Sequence, residues 1–172
     1  KSDNATLIFS GNPVKFPYPE KDGLFEVYAP LTETTFKFQP DWKPLTDMTI
    51  DLDFVNAGLW MNAPTAKLGK VNGRNIEAII ADYAKHQLTV DADVDGDGID
   101  VRDYMNGSPL KSSVGAALEQ VEVKGNVSGR LQLDIPLDGK NAIAKGDITL
   151  KDNSLHIKPI DSTMENVSGT FS

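Results

Sequence analysis

The sequence predicts a mainly β protein, in which a strongly curved, twisted antiparallel sheet forms a trough and a short two-helix corner lies near residues 99–118. Three observations lead to this prediction. Apolar and polar residues alternate with a period of two along most of the chain. Turn-forming Gly, Asn, Asp and Pro separate the alternating segments at close spacing. A helical period replaces the alternation only between residues 98 and 120.

The alternating segments number about twelve, and their connections are short. Short connections favour antiparallel pairing between neighbours. Within each segment the apolar residues share one face, because successive side chains of a strand point to opposite sides. The predicted strands cover residues 5–11, 23–29, 33–39, 47–55, 58–63, 66–71, 75–82, 87–95, 121–135, 142–151, 154–158 and 166–171.

The segment LTVDADVDGDGID (88–100) resembles a calcium-binding loop, because it combines several aspartates with two glycines. An EF-hand loop also needs a bidentate Glu at its twelfth position. A loop that starts at Asp91 has Arg102 there, and a loop that starts at Asp93 has Tyr104. The strict alternation of apolar and acidic residues instead predicts a strand with a solvated acidic face and no metal.

The helical corner follows from residues 98–120. Apolar residues in this region, among them Tyr104, recur at helical spacing. Gly107 suits the left-handed position that ends a helix. Ser108 and Pro109 suit the N-cap and the first position of a second helix. The sequence therefore predicts two short helices inserted between two sets of strands.

Composition excludes several classes of function. A net charge of −8 argues against a nucleic-acid partner, which requires a basic surface, and against docking by charge on an anionic membrane. The chain has no cysteine, which excludes disulfides and thiol nucleophiles. No apolar run approaches the ~20 residues that span a bilayer. Because the chain begins without Met and ends within a predicted strand, we expect residues 1–172 to be a single fragment of a longer β-groove protein.

No motif for catalysis is present in the sequence. It lacks a nucleophile elbow, a phosphate-binding loop and a metalloprotease His pair. Paired acids such as Asp51 and Asp53 lie on polar strand faces, where solvation explains them. The sequence therefore predicts neither an enzyme nor a cofactor. Trp42 stands between two prolines, and we expect it to fill the space beneath a loop.

The segment NPVKFPYPEKDGLFEVYAPLTETTFKFQPDWKPLTDMTIDLDF (12–54) resembles the middle region of the YhdP family, which are large AsmA-like proteins of the Gram-negative envelope. The residues that carry the resemblance are Phe16 to Pro19, Asp22 to Glu26, Phe36 to Phe38, and Trp42 with Pro44, Leu45 and Asp47. The closing TMENVSGTFS (163–172) resembles a strand opening that AsmA-like proteins share. The ordered series of these motifs extends over nearly the whole chain.

The resemblance implies a function that composition does not show. Members of this family are bridge-like lipid transfer proteins, in which phospholipids move along an apolar trough between the inner and outer membranes. It implies a periplasmic location and an inner-membrane anchor in a helix outside this chain. The implied partners are phospholipid acyl chains, neighbouring β-groove segments, and proteins of the inner and outer membranes.

The apolar residues of the alternating segments define the candidate site. Because antiparallel neighbours keep their apolar faces on the same side of a sheet, we expect one continuous face that contacts acyl chains. The predicted groove residues are Leu7, Phe9, Phe25, Val27, Phe36, Phe38, Ile50, Leu52, Phe54, Leu88, Val90, Val94, Leu131 and Leu133. The alternatives are a closed β-sandwich for adhesion or carbohydrate binding, and a calcium-stabilised module built on residues 91–100.

Overall fold

The computed structural model of the chain describes residues 1–2, 4–37, 40–112 and 119–172. In this part of the chain ten strands form one antiparallel sheet. The strands are β1 (Thr6–Ser10), β2 (Leu24–Phe36), β3 (Leu45–Val55), β4 (Gly58–Leu68), β5 (Val71–Ile80), β6 (Gln87–Asp97), β7 (Val121–Lys124), β8 (Asn126–Pro136), β9 (Ile143–Ile157) and β10 (Ser162–Phe171). The helical elements are α1 (Gly98–Asn106) and 3₁₀ turns at Pro13–Lys15, Tyr83–Lys85, Pro109–Ser112 and Lys158–Ile160.

The strands follow one another in the sheet almost in chain order, as β1-β2-β3-β4-β5-β6-β8-β9-β10. Each pair of neighbours is antiparallel, as the short connections predict. β1 and β10 stand at the two ends of this path, which leaves the curved sheet open. The predicted fold class is therefore confirmed. The alternative of a closed sandwich is contradicted, because all the described strands belong to one sheet.

β9 changes its partner part-way along its length. It pairs with β8 through residues 143–150 and with β7 through residues 154–157. Asn153 fills the fork between the two partners, and its side-chain amide donates to the carbonyls of Lys124 and Asn126 at 3.1 Å each. These bonds satisfy a buried amide that would otherwise destabilise the fork.

The structure has fewer strands than the sequence predicts, because bulges join segments that look separate. The segments predicted at 23–29 and 33–39 are one strand, β2. Glu33 has a φ of 52°, and the register between β2 and β3 shifts beside it. A bulge of this kind absorbs an extra residue without ending the strand. Asp152, with a φ of 55°, lies between the two predicted segments that merge into β9.

Two other predicted boundaries also differ from the structure. The single strand predicted at 121–135 is divided into β7 and β8 at Gly125, whose φ of 98° is readily available only to glycine. β4 extends to Leu68, five residues beyond the predicted end at residue 63, and a tight turn at Gly69 leads directly into β5.

The helical corner is confirmed where the structure describes it. Asp97 caps α1, because its Oδ1 accepts a hydrogen bond from the amide of Ile99 at 2.9 Å. The side chain of Ser108 accepts from the amide of Leu110 at 3.3 Å and so begins the turn Pro109–Ser112, as predicted. The rest of the predicted second helix, residues 113–118, lies outside the described residues. None of the helices in the described ranges has the length and apolar character needed to cross a membrane.

The prediction for Gly107 is confirmed in its position at the end of α1 and wrong in its conformation. This residue ends α1 with a φ of −91°, and not in the left-handed conformation. A Cβ atom at position 107 would meet the end of the Lys43 side chain, which is flexible and can move aside. Lys43 comes from the connection between β2 and β3.

Candidate functional site

One face of the sheet is apolar across its strands. Directly opposed residues of antiparallel strands share a face, so the register traces this face from strand to strand. One row of opposed residues runs Leu7, Val27, Phe54, Leu59 and Ile80 from β1 to β5. A second row runs Leu52, Met61, Ala78, Val90, Leu133 and Ala144 from β3 to β9. We call this surface the apolar face.

The register brings nearly all the predicted groove residues together on the apolar face. Phe9 opposes Phe25, Leu131 opposes Ala92, and Leu88 and Val94 alternate with residues of the second row. Ile50 shares the face with Leu52 by the same alternation. Phe36 lies beyond the bulge in β2, yet it lines the same central cavity as Ile50 and Leu133. Phe38 lies outside the described residues.

Exposure along the apolar face is uneven. At the β1 end, Leu7 is 64% and Phe9 is 48% exposed. In the middle, Ile50 and Leu88 are only 4% and 3% exposed. The face opens again beyond β8, where Ile148 of β9 is 44% exposed. The apolar face is therefore accessible near both ends of the sheet and covered at its centre.

Four residues form the cover, which we call the cap: Trp42, Lys43, Tyr104 and Leu110. Trp42 and Lys43 belong to the connection before β3, Tyr104 to α1, and Leu110 to the turn that follows. Trp42, Tyr104 and Leu110 are buried and line one cavity together with residues of the apolar face, which confirms the prediction that Trp42 fills the space beneath a loop.

The two parts of the cap are joined by Lys43. Its Nζ donates to the carbonyl of Asp103 at 3.2 Å and lies 6.0 Å from the centre of the Tyr104 ring. This contact connects the β2–β3 connection to the last turn of α1. Burial raises the pKa of Tyr104 to about 12, because the phenolate is disfavoured away from water.

Beneath the cap the apolar face encloses a cavity of about 70 Å³. Its lining is almost wholly apolar. The lining residues are Phe36, Trp42, Leu45, Met48, Ile50, Met61, Ala63, Leu68, Ile76, Ala78, Leu88, Val90, Ala92, Val94, Tyr104, Leu110, Leu131 and Leu133.

A larger and more open pocket of about 650 Å³ lies beside the cap, between α1 and strands β8 and β9. Val101 and Met105 of α1 form one wall, and Leu131 and Ile148 form part of the other. Gly146 allows the strands to approach here, since a Cβ atom at that position would overlap the carbonyl of Arg130. This pocket continues the apolar face beyond the cap.

The opposite face of the sheet is polar, and the acidic segment lies on it. Residues 88–97 form most of β6, which confirms the strand prediction for this segment. Asp91 forms an ion pair with Arg130 at 2.6 Å, and Asp95 forms one with Arg74 at 2.9 Å. Neighbouring cations and amides of the sheet therefore balance these carboxylates. Among the described residues no cluster of three or more potential metal ligands occurs.

Sequence reasoning missed part of the apolar face and most of the cap. Met61 and Ala78 lie in strands where Asn and Ala blur the alternation, so their face becomes clear only from the register with β3 and β6. Tyr104 and Leu110 have the spacing of helix residues that cover a core, but the sequence does not show which surface they cover. Their position over the centre of the apolar face, where both line the central cavity, depends on tertiary packing.

Comparison with known proteins places the chain in a family. A family model described as YhdP protein matches residues 1–172. The chain belongs to the YhdP family. It is 51% identical over 172 residues to the intermembrane phospholipid transporter YhdP of Escherichia coli (strain K12). The match covers 100% of this chain and 14% of that relative's length. No solved structure gives a significant match.

Membership of the YhdP family confirms the resemblance that the motifs of residues 12–54 indicate. The match is continuous, so the helical corner and β10 belong to the shared region as well. The apolar face and its cap are therefore features of a chain that is similar to one stretch of a much longer YhdP protein.

Proposed function

We propose that this chain is one segment of a bridge along which phospholipids move between the inner and outer membranes. The observation that carries the proposal is the apolar face, which extends across an open sheet and remains accessible near both of its ends. The similarity to a protein named as an intermembrane phospholipid transporter supports it. In this proposal the acyl chains lie on the apolar face and the head groups remain in water.

The energetics explain why such a face is useful. A buried methylene contributes about 0.8 kcal/mol, so a phospholipid with roughly thirty chain methylenes would cost about 24 kcal/mol to bring fully into water. Collapse of the two chains on each other lowers this figure, but even half of it makes free passage across an aqueous gap slow. A continuous apolar surface removes most of the cost.

The dimensions of the sheet suit this role. Nine strands lie side by side in the main path, and at ~4.8 Å per neighbour they extend about 40 Å. This exceeds the ~30 Å thickness of a complete hydrocarbon core, within which each acyl chain spans only one leaflet. A phospholipid therefore fits along the path with room to move.

The edges of the sheet support a proposal about the neighbouring partners. β1 and β10 end the strand path, and an edge strand offers unpaired backbone groups to a further strand. We assign these edges to neighbouring β-groove segments of the same protein. The proposed location is the periplasm, with an inner-membrane anchor in a helix outside this chain and docking proteins in the two membranes.

The proposal requires no chemistry on the substrate. A lipid that moves along the apolar face makes and breaks no covalent bond, so that no nucleophile, general base or cofactor is needed. The acidic side chains of β6 lie on the opposite face, in ion pairs and hydrogen bonds. We therefore place the chain among lipid carriers and not among enzymes.

Photo-crosslinking within cells tests this function directly. Ile8 and Phe9 are neighbours on β1 and are 45% and 48% exposed, but they lie on opposite faces of the sheet. A photoreactive residue at Phe9 should capture phospholipid, and one at Ile8 should capture little. Equal capture at the two positions, or none at Phe9, would contradict a lipid path on the apolar face.

A further inference from the structure

We propose that the cap is a gate, and that acyl chains cross the centre of the apolar face only when the cap lifts. This inference rests on the proposed lipid path and adds a regulated step to it. The apolar face is accessible near β1 and again beyond β8, but the cap covers the strands between them. In this structure the protein's own side chains occupy the path at that point.

The space beneath the cap is too small for lipid. The cavity measures about 70 Å³, about half the ~150 Å³ of an engineered apolar cavity that binds one benzene molecule. An acyl chain is longer than benzene and has more than twice as many carbons. It can therefore reach Met61 or Ala78, which line this cavity, only after the cap has moved away.

The cap is attached to the sheet along one rim. The connection that carries Trp42 follows the end of β2, and α1 follows the end of β6. Because alternate strands of an antiparallel sheet run in the same direction, both ends lie on the same rim.

The opposite rim is held by its own hydrogen bonds. Backbone amides of Asn56 and Leu137 donate to Phe25 at 2.8 Å and to His86 at 2.7 Å. This arrangement allows the cap to swing about one rim while the sheet stays intact.

The chemistry of the contact also suits a gate. The cap meets the apolar face through apolar side chains, and hydrophobic contacts are not directional. Acyl chains offer the same kind of contact, so lipid can replace the cap on the apolar face at little net cost. Lys43 joins the two parts of the cap through an exposed hydrogen bond to Asp103 and its position near the Tyr104 ring.

The test places a photoreactive residue at Met61, beneath the cap, or at Phe9, outside it, in the protein as the cell makes it. Each is combined with Trp42→Ala, which removes the largest cap side chain, or with Lys43→Ala, which removes the link to α1. Lys158→Ala is the matched control, because Lys158 is an exposed lysine in a turn on the same rim and outside the cap.

We expect low lipid capture at Met61 and high capture at Phe9 in the otherwise unaltered protein. Lys43→Ala should raise capture at Met61 about two- to tenfold, the range that corresponds to one lost hydrogen bond. Trp42→Ala should raise it by more than about tenfold. Capture at Phe9 should stay constant, and Lys158→Ala should change neither position.

The remaining outcomes separate the gate from the lipid path. Strong capture at Met61 without any cap substitution would overturn the gate. Unchanged capture at Met61 in both cap variants would overturn it as well. In either case, capture at Phe9 would still support the lipid path. Absence of capture at both positions in every variant overturns the path and the gate together. If thermal melting shows that Trp42→Ala does not fold, the gate is judged on Lys43→Ala alone, because this substitution is at an exposed position.

Discussion

Tyr104 is the residue whose ionisation reports most directly on the cap. Its pKa is raised by burial from 10 to about 12. Between pH 10 and pH 12 the Tyr104 hydroxyl therefore keeps its proton in the folded protein but loses it in the unfolded chain. Because ionisation then favours the unfolded chain, the free energy of unfolding falls as pH rises from about 10 to about 12. A shift of two units corresponds to about 2.7 kcal/mol.

We expect the free energy of unfolding of the unaltered protein to drop by about 2 kcal/mol more than that of Tyr104→Phe between pH 8 and pH 11.5. Urea unfolding of both proteins at the two pH values measures this difference. Parallel losses in the two proteins would show that Tyr104 ionises as freely in the folded state as in the unfolded chain.

For the acidic residues of β6 we expect, in contrast, only a small contribution to the free energy of unfolding. Asp93 accepts a hydrogen bond from Asn75 at 2.8 Å, and Asp95 pairs with the half-exposed Arg74. Ion pairs at such positions contribute little, so replacing both aspartates by Asn should change the free energy of unfolding by less than about 1 kcal/mol.

Thermal melting of this double variant, with and without calcium, measures the effect. A loss of several kcal/mol, or a melting temperature that rises with calcium only in the unaltered protein, would restore the calcium-loop interpretation of residues 91–100.

Among the strands and helices, the features that the sequence does not predict are those that depend on distant parts of the chain. Alternation shows which residues share a face, and it predicted the two faces of β1, β3, β6 and β8 correctly, although not the break between β7 and β8. It does not show whether a break such as Glu33 ends a strand or becomes a bulge, because that depends on the neighbouring strand. The conformation of Gly107 is likewise not visible in the sequence, which shows only that glycine can end a helix.

Two glycines provide a test of the close approach between β8 and β9 beside the pocket. A Cβ atom at position 146 would overlap the carbonyl of Arg130 on the neighbouring strand, whereas one at position 96 would make near-ordinary contacts with Val71. Both glycines lie within strands and have no left-handed φ. Gly146→Ala should therefore reduce the free energy of unfolding by more than about 2 kcal/mol, and Gly96→Ala should change it by less than about 1 kcal/mol.

Urea unfolding of the two variants measures this contrast. Equal stability of Gly146→Ala and Gly96→Ala would mean that β8 and β9 do not approach as closely as the structure shows.

At the scale of the whole molecule, the sequence predicted which residues make the apolar face but not how much of it is accessible. Each predicted residue belongs to a local alternation, so its face follows from its own strand and from pairing. Accessibility depends instead on the cap, in which Trp42 and Leu110 join one buried cluster although they come from connections of different strands. A closed centre with open ends therefore becomes visible only in the folded chain.

The position of a charge on the sheet should decide its effect on transport. Phe9→Asp and Ile8→Asp introduce the same carboxylate at neighbouring, similarly exposed positions, so both should leave the melting temperature nearly unchanged. Phe9→Asp places the charge on the apolar face, where bringing a carboxylate into contact with acyl chains costs about 3 kcal/mol. This substitution should therefore slow phospholipid transport by more than about tenfold. Ile8→Asp places it on the polar face and should leave transport intact.

A third variant separates loss of transport from loss of fold. Ile50→Asp introduces the carboxylate at a buried position beneath the cap, where an unpaired charge should unfold the protein. Arrival of labelled phospholipid in the outer membrane, measured together with the amount of folded protein, distinguishes the three. If Phe9→Asp and Ile8→Asp slow arrival equally while both remain folded, phospholipid does not move along the apolar face, because only one of the two charges lies on that face.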